Sequence, residues 1–166
     1  MNTQHLHIFT TGGTIDKVYF DALSQFQVGD SPIDEIFKQA GVDFDYAVTS
    51  LMRKDSLELT DDDRSLIGTA IKNCLQDRIL VTHGTDTMVK SASDLGELSG
   101  KTVVFTGAMQ PAALRQTDAI FNIGFAVSAA LLLPPGAYIA MNGRVLDPAT
   151  TTKDRDAMVF RDKSKA

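Results

Sequence analysis

The chain has 166 residues, 43% of them hydrophobic and 22% charged, with a formal net charge of −5. That is the profile of one soluble globular domain, long enough to bury a substantial core. The acidic balance and the lack of a Lys/Arg run argue against nucleic acid as a main partner. The longest apolar stretch, residues 121–133, is broken by Asn122, Gly124 and Ser128 and is too short to span a bilayer. A single cysteine excludes an intrachain disulfide framework and fits a reducing cytoplasm; Met1-Asn2-Thr3-Gln4 is polar and carries no secretory signal.

Residues 6–10 read as a first strand running into Thr11-Gly12-Gly13-Thr14. Glycine permits backbone conformations that a Cβ forbids, so the chain reverses sharply and leaves N–H groups pointing outward. A hydroxyl held at such a turn can be a nucleophile beside an oxyanion site, or it can simply cap a helix. Residues 15–30, with Lys17, Tyr19 and Gly29, show neither helical nor strand periodicity and read as a mobile lid. Ser31-Pro32 then opens a helix, serine as cap and proline at the first helical position, and Gly41 ends it.

Residues 44–51 alternate as a second strand, followed by a polar loop at 53–56. Thr60 and Asp63 form a capping box for a helix reaching about residue 76. Asp61, Asp62 and Asp63 complement that helix's dipole better than they make a metal cluster. Cys74, at helical spacing from Ile67, Ala70 and Ile71, reads as core. A third strand at 78–82, a helix at 86–98 and a fourth strand at 101–105 follow. The helix at 118–132 is apolar on nearly all sides, so it is buried in the domain or lies at a subunit contact. A fifth strand at 138–141 turns through Asn142-Gly143 into residues 144–146, and the charged tail 161–166 reads as frayed.

Strands separated by helices imply right-handed crossovers. The expected fold is a single α/β domain: one doubly wound, mainly parallel sheet with helices on both faces, three-layered and Rossmann-like. In such a sheet the loops after the strands converge on one edge. They are 11–14, 53–56, 82–87 and 106–110, and three of the four pair a glycine with hydroxyl or small residues. In the third, Thr85 and Asp86 satisfy helix N–H groups, or they form a hydroxyl beside a carboxylate that binds an ammonium group. His5 and His7 share a strand face but lack a third ligand, and His83 reads as a structural hydrogen-bonding residue.

Taken together, Thr11-Gly12-Gly13-Thr14-Ile15, His83-Gly84-Thr85-Asp86-Thr87-Met88 and Phe105-Thr106-Gly107-Ala108-Met109-Gln110-Pro111 resemble the bacterial-type L-asparaginase family. The resemblance continues through Asp118-Ala119-Ile120-Phe121-Asn122 and Met141-Asn142-Gly143-Arg144-Val145-Leu146-Asp147 to Thr152-Lys153. It implies the N-terminal asparaginase domain, with Thr14 as nucleophile, Tyr19 as the lid tyrosine that activates it, and Thr85, Asp86 and Lys153 as a second triad. A lysine kept neutral by burial and cationic neighbours would take a proton from Thr85 or its water. Substrate contacts fall on Gly13, Asp55, Ser56, Gly84, Thr85 and Asp86, and oxyanion donors near Gly13 and Thr85.

The chain departs from the family pattern at Leu57, where a glutamine is usual after Asp55-Ser56, and at Asp16, where a small residue is usual. It also stops where the family's second domain would begin, which reads as a compact single-domain form. The implied reaction is hydrolysis of L-asparagine to aspartate and ammonia through a β-acyl-threonine, with a possible glutaminase side activity and no metal or organic cofactor. The implied setting is a cytoplasmic homo-oligomer, dimer or tetramer. Two other readings stand beside it: an asparagine or aspartate sensor without turnover, and the amidase subunit of a tRNA amidotransferase.

Overall fold

The computed structural model describes residues 5–163; the polar opening 1–4 and the last three residues of the charged tail lie outside them. A six-stranded sheet organises the molecule. β1 (His5–Gly12), β4 (Asp45–Lys54), β5 (Arg78–Thr82), β6 (Thr102–Thr106), β7 (Gly136–Met141) and β8 (Arg144–Leu146) lie in the order β4-β1-β5-β6-β7-β8. All pairings are parallel except that of β7 with β8, which Asn142 and Gly143 join with φ of 53° and 74°. Two positive φ values are what a two-residue hairpin turn demands.

Alternation along the strands divides the core in two. Leu6, Ile8, Leu80, Val104 and Ala140 face α1 (Ile33–Ala40) and α4 (Ala119–Leu132). Ile79, Val81, Val103, Phe105 and Met141 face α2 (Asp61–Asn73) and α3 (Met88–Ser93). Both faces are thus covered, giving the three-layer α/β architecture that the strand–helix alternation implies. After β1 the chain goes to β4 on one side, then to β5 on the other. The crevice beyond the carboxyl ends of β1 and β5 is therefore a topological switch point, where ligands bind in open α/β sheets.

The structure corrects several local expectations. The 15–30 stretch is a β-hairpin, β2 (Lys17–Phe20) paired antiparallel with β3 (Gln25–Val28), entered through a 3-10 turn at Thr14–Asp16. Both of its faces are largely exposed, so no one-sided burial imprinted a period-2 pattern on it. Ser31 does not cap α1: the cap position is Pro32, without a side-chain hydrogen bond, and the Ser31 hydroxyl is buried instead. Gly41 does end that helix, at φ 61°. The third helix is shorter than 86–98, and a second hairpin pairs β9 (Thr151–Asp154) with β10 (Val159–Asp162), which takes in the first two residues of the charged tail. Phe160, 3% exposed, pins that hairpin to the α2–α3 side of the core.

The Thr60–Asp63 capping box forms, and Lys54 binds both Asp63 oxygens at 2.9 Å. These contacts, led by Lys54, hold the Asp63 carboxyl at about 2. Asp61 pairs with Arg64 and Lys90, so the acidic run belongs to the start of α2. Among the described residues no three His, Cys, Asp or Glu side chains gather as a metal site, and no helix is long and apolar enough to cross a membrane. His7 is engaged with Thr49 and Gln76.

Candidate active site

Thr10, Thr82 and Thr106 are register partners across β1, β5 and β6, so the loops that follow start level with one another. They then nest without room for side chains. A Cβ on Gly13 would fall 2.4 Å from the Gly84 Cα, one on Gly84 2.5 Å from the Ser56 Cβ, and one on Gly107 2.3 Å from the His83 carbonyl oxygen. Gly13 also holds φ 87°, a region that disfavours any side chain. These glycines are therefore what allows four strand-end loops to form one surface.

Thr14 stands at the start of the 3-10 turn, half-buried, and its hydroxyl makes no hydrogen bond among the described residues. The Gly13 N–H donates to the Lys54 carbonyl at 2.9 Å, so it is committed to the fold and is not a free oxyanion donor. Across the crevice, Lys153 Nζ donates to Thr85 Oγ1 and to Asp86 Oδ1, both at 2.8 Å. Thr85 is 5% exposed and the Lys153 side chain 10%. Neither Thr85 nor Asp86 caps a helix: α3 starts at Met88, its cap position is Thr87, and the Thr87 hydroxyl donates to the Ser56 carbonyl. The capping alternative for this pair is thus removed.

Ser56 is 2% exposed in a 3-10 turn whose cap, Asp55, accepts the Leu57 N–H at 3.1 Å. Asp55 also pairs with Lys17 at 2.8 Å. That bond, with smaller help from Leu57 and Lys153, holds the Asp55 carboxyl below its ordinary value. Tyr19 stands apart from this assembly. It is 53% exposed on β2, edge-on to Phe26, and makes no hydrogen bond to Thr14.

His83 is fully buried, and burial pushes its pKa down to about 4. Its Nδ1 lies 2.7 Å from the Gly84 carbonyl and its Nε2 2.8 Å from Ser91 Oγ. A carbonyl only accepts, so Nδ1 carries the proton and Nε2 accepts from Ser91. The neutral ring thereby anchors the peptide that precedes Thr85.

Three positioning groups are visible in the sequence, which assigns them no role. Asp118 accepts the N–H groups of Met109 and Gln110 at 2.9–3.0 Å. Asn122 donates to the Gly107 carbonyl and to Asp118 and accepts from Asn142 N–H, tying three segments together. A fully buried asparagine on an otherwise apolar helix was the available signal. The third is Asp16, 3% exposed two residues after Thr14, with Oδ1 unpartnered. Burial raises its pKa to about 7, with only partial relief from Ser31, the Gly12 backbone and Arg53.

The model of the asparaginase N-terminal domain matches residues 5–159. L-asparaginase 1 of Escherichia coli is 30% identical over 165 residues, which cover 92% of this chain and 48% of that protein. The L-asparaginase of Thermococcus kodakarensis is 29% identical over 155 residues, covering 85% of this chain and 45% of that one. The solved structure of the thermostable T. kodakarensis L-asparaginase superimposes with a TM-score of 0.84 at 25% identity, over 95% of this chain and 51% of the other. The chain thus spans about half the length of these relatives. By the extent of these matches, and by the loops that carry its hydroxyls, the chain belongs to the asparaginase family and corresponds to that family's N-terminal domain.

Proposed function

We propose that the protein hydrolyses the side-chain amide of L-asparagine to L-aspartate and ammonia through an acyl-threonine intermediate. The observation that carries this is Lys153 Nζ bridging Thr85 Oγ1 and Asp86 Oδ1, on a loop in contact with the turn that presents Thr14. Nothing in the packing of α3 requires that bridge. Thr14 Oγ attacks the amide carbon, and its proton passes through the Thr85–Lys153 pair to the amide nitrogen. The tetrahedral intermediate collapses with cleavage of the C–N bond, and the nitrogen leaves protonated as ammonia. Water then attacks the ester, the Thr85–Lys153 pair takes the water's proton and passes it to Thr14 Oγ, and the C–O bond to Thr14 breaks to release aspartate.

In this reading Asp86 Oδ2, to which no hydrogen bond or ion pair is made among the described residues, receives the substrate ammonium. The Thr85 N–H serves as oxyanion donor in place of the committed Gly13. Tyr19 reaches Thr14 only when the β2–β3 hairpin closes. Gly13, Gly84, Asp55 and Ser56 shape the floor. No metal or organic cofactor takes part. The protein works in the cytoplasm as a homo-oligomer, its contact built on the apolar face of α4.

Ammonia release from L-asparagine, L-glutamine or neither tests the activity directly. Thr14→Ala and Thr85→Ala are each expected to lose nearly all turnover while their circular dichroism and melting stay close to wild type. Lys153→Met is expected to lower kcat by about 10²–10⁴-fold, the usual contribution of an acid–base group, with a smaller change in KM. A wild-type protein that binds asparagine without releasing ammonia would favour the sensor reading.

A further inference from the structure

A cavity of about 220 Å³ opens beside the turn that carries Thr14. Its walls come from that turn and the base of the β2–β3 hairpin, the start of α1, the loop after β6 and the first turn of α4. Much of the lining is apolar, with Ile15, Ile36, Ala112 and Ile120 among it. Asp86 does not line it, so it is separate from the crevice described above.

Three carboxyl groups, Asp16, Asp30 and Glu35, share that lining with one cation, Lys17. Lys17 is turned to Asp55, Asp30 to Arg53, and Glu35 Oε1 accepts from Gln39 at 2.8 Å. Asp16 differs. It is 3% exposed, its Oδ1 has no hydrogen-bond partner, and the Ser31 hydroxyl beside it is also buried without one. Its backbone, by contrast, is fully engaged: the N–H donates to the Gly13 carbonyl at 3.1 Å and the carbonyl accepts from Gly29 at 2.8 Å. The Ala112 N–H donates to the Ile15 carbonyl at 3.1 Å and fixes the opposite wall. The fold therefore holds the cavity in place and leaves one buried acid in it without a counter-charge, which is costly unless something pairs with it.

We propose that this cavity is a binding site for a primary ammonium ion carrying a short apolar chain, its charged end on Asp16 and its chain against Ile15, Ile36 and Ala112. An ammonium brings donors and no acceptor, which is what an unpartnered carboxyl oxygen lacks. A metal ion fits less well, because the wall is apolar and no three His, Cys, Asp or Glu side chains gather among the described residues. The inference does not depend on the amidohydrolase reading.

The probe is n-butylammonium chloride, titrated calorimetrically at pH 8 in about 0.15 M salt, where long-range attraction to an acidic surface is screened. Butan-1-ol is the uncharged analogue. Saturable one-to-one binding is expected, at least ten-fold tighter than that of the alcohol. The probe keeps its charge from pH 6 to 8, whereas the Asp16 carboxyl takes up a proton around 7, so binding is expected to weaken about ten-fold between pH 8 and pH 6. The other charged groups that face Asp16 or the cavity are Asp30, Arg53, Lys17 and Glu35, and no histidine lines it.

Asp16→Asn is expected to weaken the probe ten-fold or more. Ala113→Leu, at an exposed position of the lining, is expected to do the same by filling the mouth while leaving the carboxyl in place. Asp86→Asn is expected to leave binding unchanged. Absence of saturable binding, equal binding of butan-1-ol, or binding that survives in Asp16→Asn and is lost in Asp86→Asn overturns the inference. Should Asp16→Asn fail to fold, Ala113→Leu and the pH profile decide: undiminished binding in that variant, or equal affinity at pH 6 and pH 8, overturns it.

Discussion

Two buried titratable side chains flank the candidate nucleophiles, and they pull stability in opposite directions with pH. Asp16 is raised to about 7, so the folded protein holds a proton there that the unfolded chain releases near the ordinary carboxylate value of 3.8. Its contribution is complete below about 3.8 and is lost as pH rises through 7. His83 is depressed to about 4 from 6.5, so its contribution is present above 6.5 and is lost as pH falls through 4. The shifts correspond to on the order of 4 kcal/mol for Asp16 and about 3 kcal/mol for His83 at most, and over much of pH 4–6.5 their pH dependences oppose and largely cancel. Removing one should therefore expose the other. Asp16→Asn is expected to become more stable than wild type above pH 7 and to gain stability as pH rises from 4.5 to 6.5. Urea denaturation at pH 5 and 7.5 checks this; parallel wild-type and Asn curves would show that Asp16 is ionised in the folded protein.

At the scale of elements, α4 does more than cover the sheet. Asn122 is fully buried and its amide joins the Gly107 loop, Asp118 and the β7–β8 turn. Asn122→Ala leaves the Gly107 carbonyl and the Asn142 N–H without their partner, and is expected to cost about 2–4 kcal/mol in denaturation midpoint measurements. Asn122→Ala melting like wild type would mean that these groups find other partners. The β2–β3 hairpin is the opposite kind of element. Val18, Tyr19, Phe20, Leu23 and Phe26 are all more than 40% exposed, and its base is tied by the Gly29 N–H donating to the Asp16 carbonyl. An apolar hairpin with so little to pack on is expected to exchange amide hydrogens rapidly, and to slow by ten-fold or more when L-aspartate binds beneath it, roughly the effect of about 1.4 kcal/mol of closure. Equal exchange with and without aspartate would rule out closure.

For the whole molecule, the sheet order sets the crevice and α4 sets the outer surface. Ile120, Phe121 and Leu132 are 55%, 62% and 79% exposed, so α4 turns apolar side chains both into the core and outward. The outward set is the surface on which we place self-association, with a two-fold contact as the commonest solution. Sedimentation at micromolar concentration is expected to show an oligomer that Phe121→Asp shifts toward monomer. Monomeric wild-type protein with full activity would contradict that placement.

Sequence alone determined the central strands, α1, α2 and α4, the Thr60–Asp63 box and the Asn142-Gly143 turn: the strands are short apolar runs because the sheet is covered on both faces, and the helices, the box and the turn carry local signals of their own. It also determined which loops carry hydroxyls, carboxylates and glycines. The tertiary structure alone decided the rest. Residues 15–30 and 151–162 pair as hairpins whose outer faces meet water, so no alternation marked them. Lys153 meets Thr85 across 68 residues only because β9 packs back beside the α2–α3 layer. Asp16 has a charged residue's letter but a buried residue's surroundings, and Tyr19, singled out by resemblance, stands in solvent. Each of these depends on which segments the sheet order brings together, a non-local property that burial patterns along a single element do not encode.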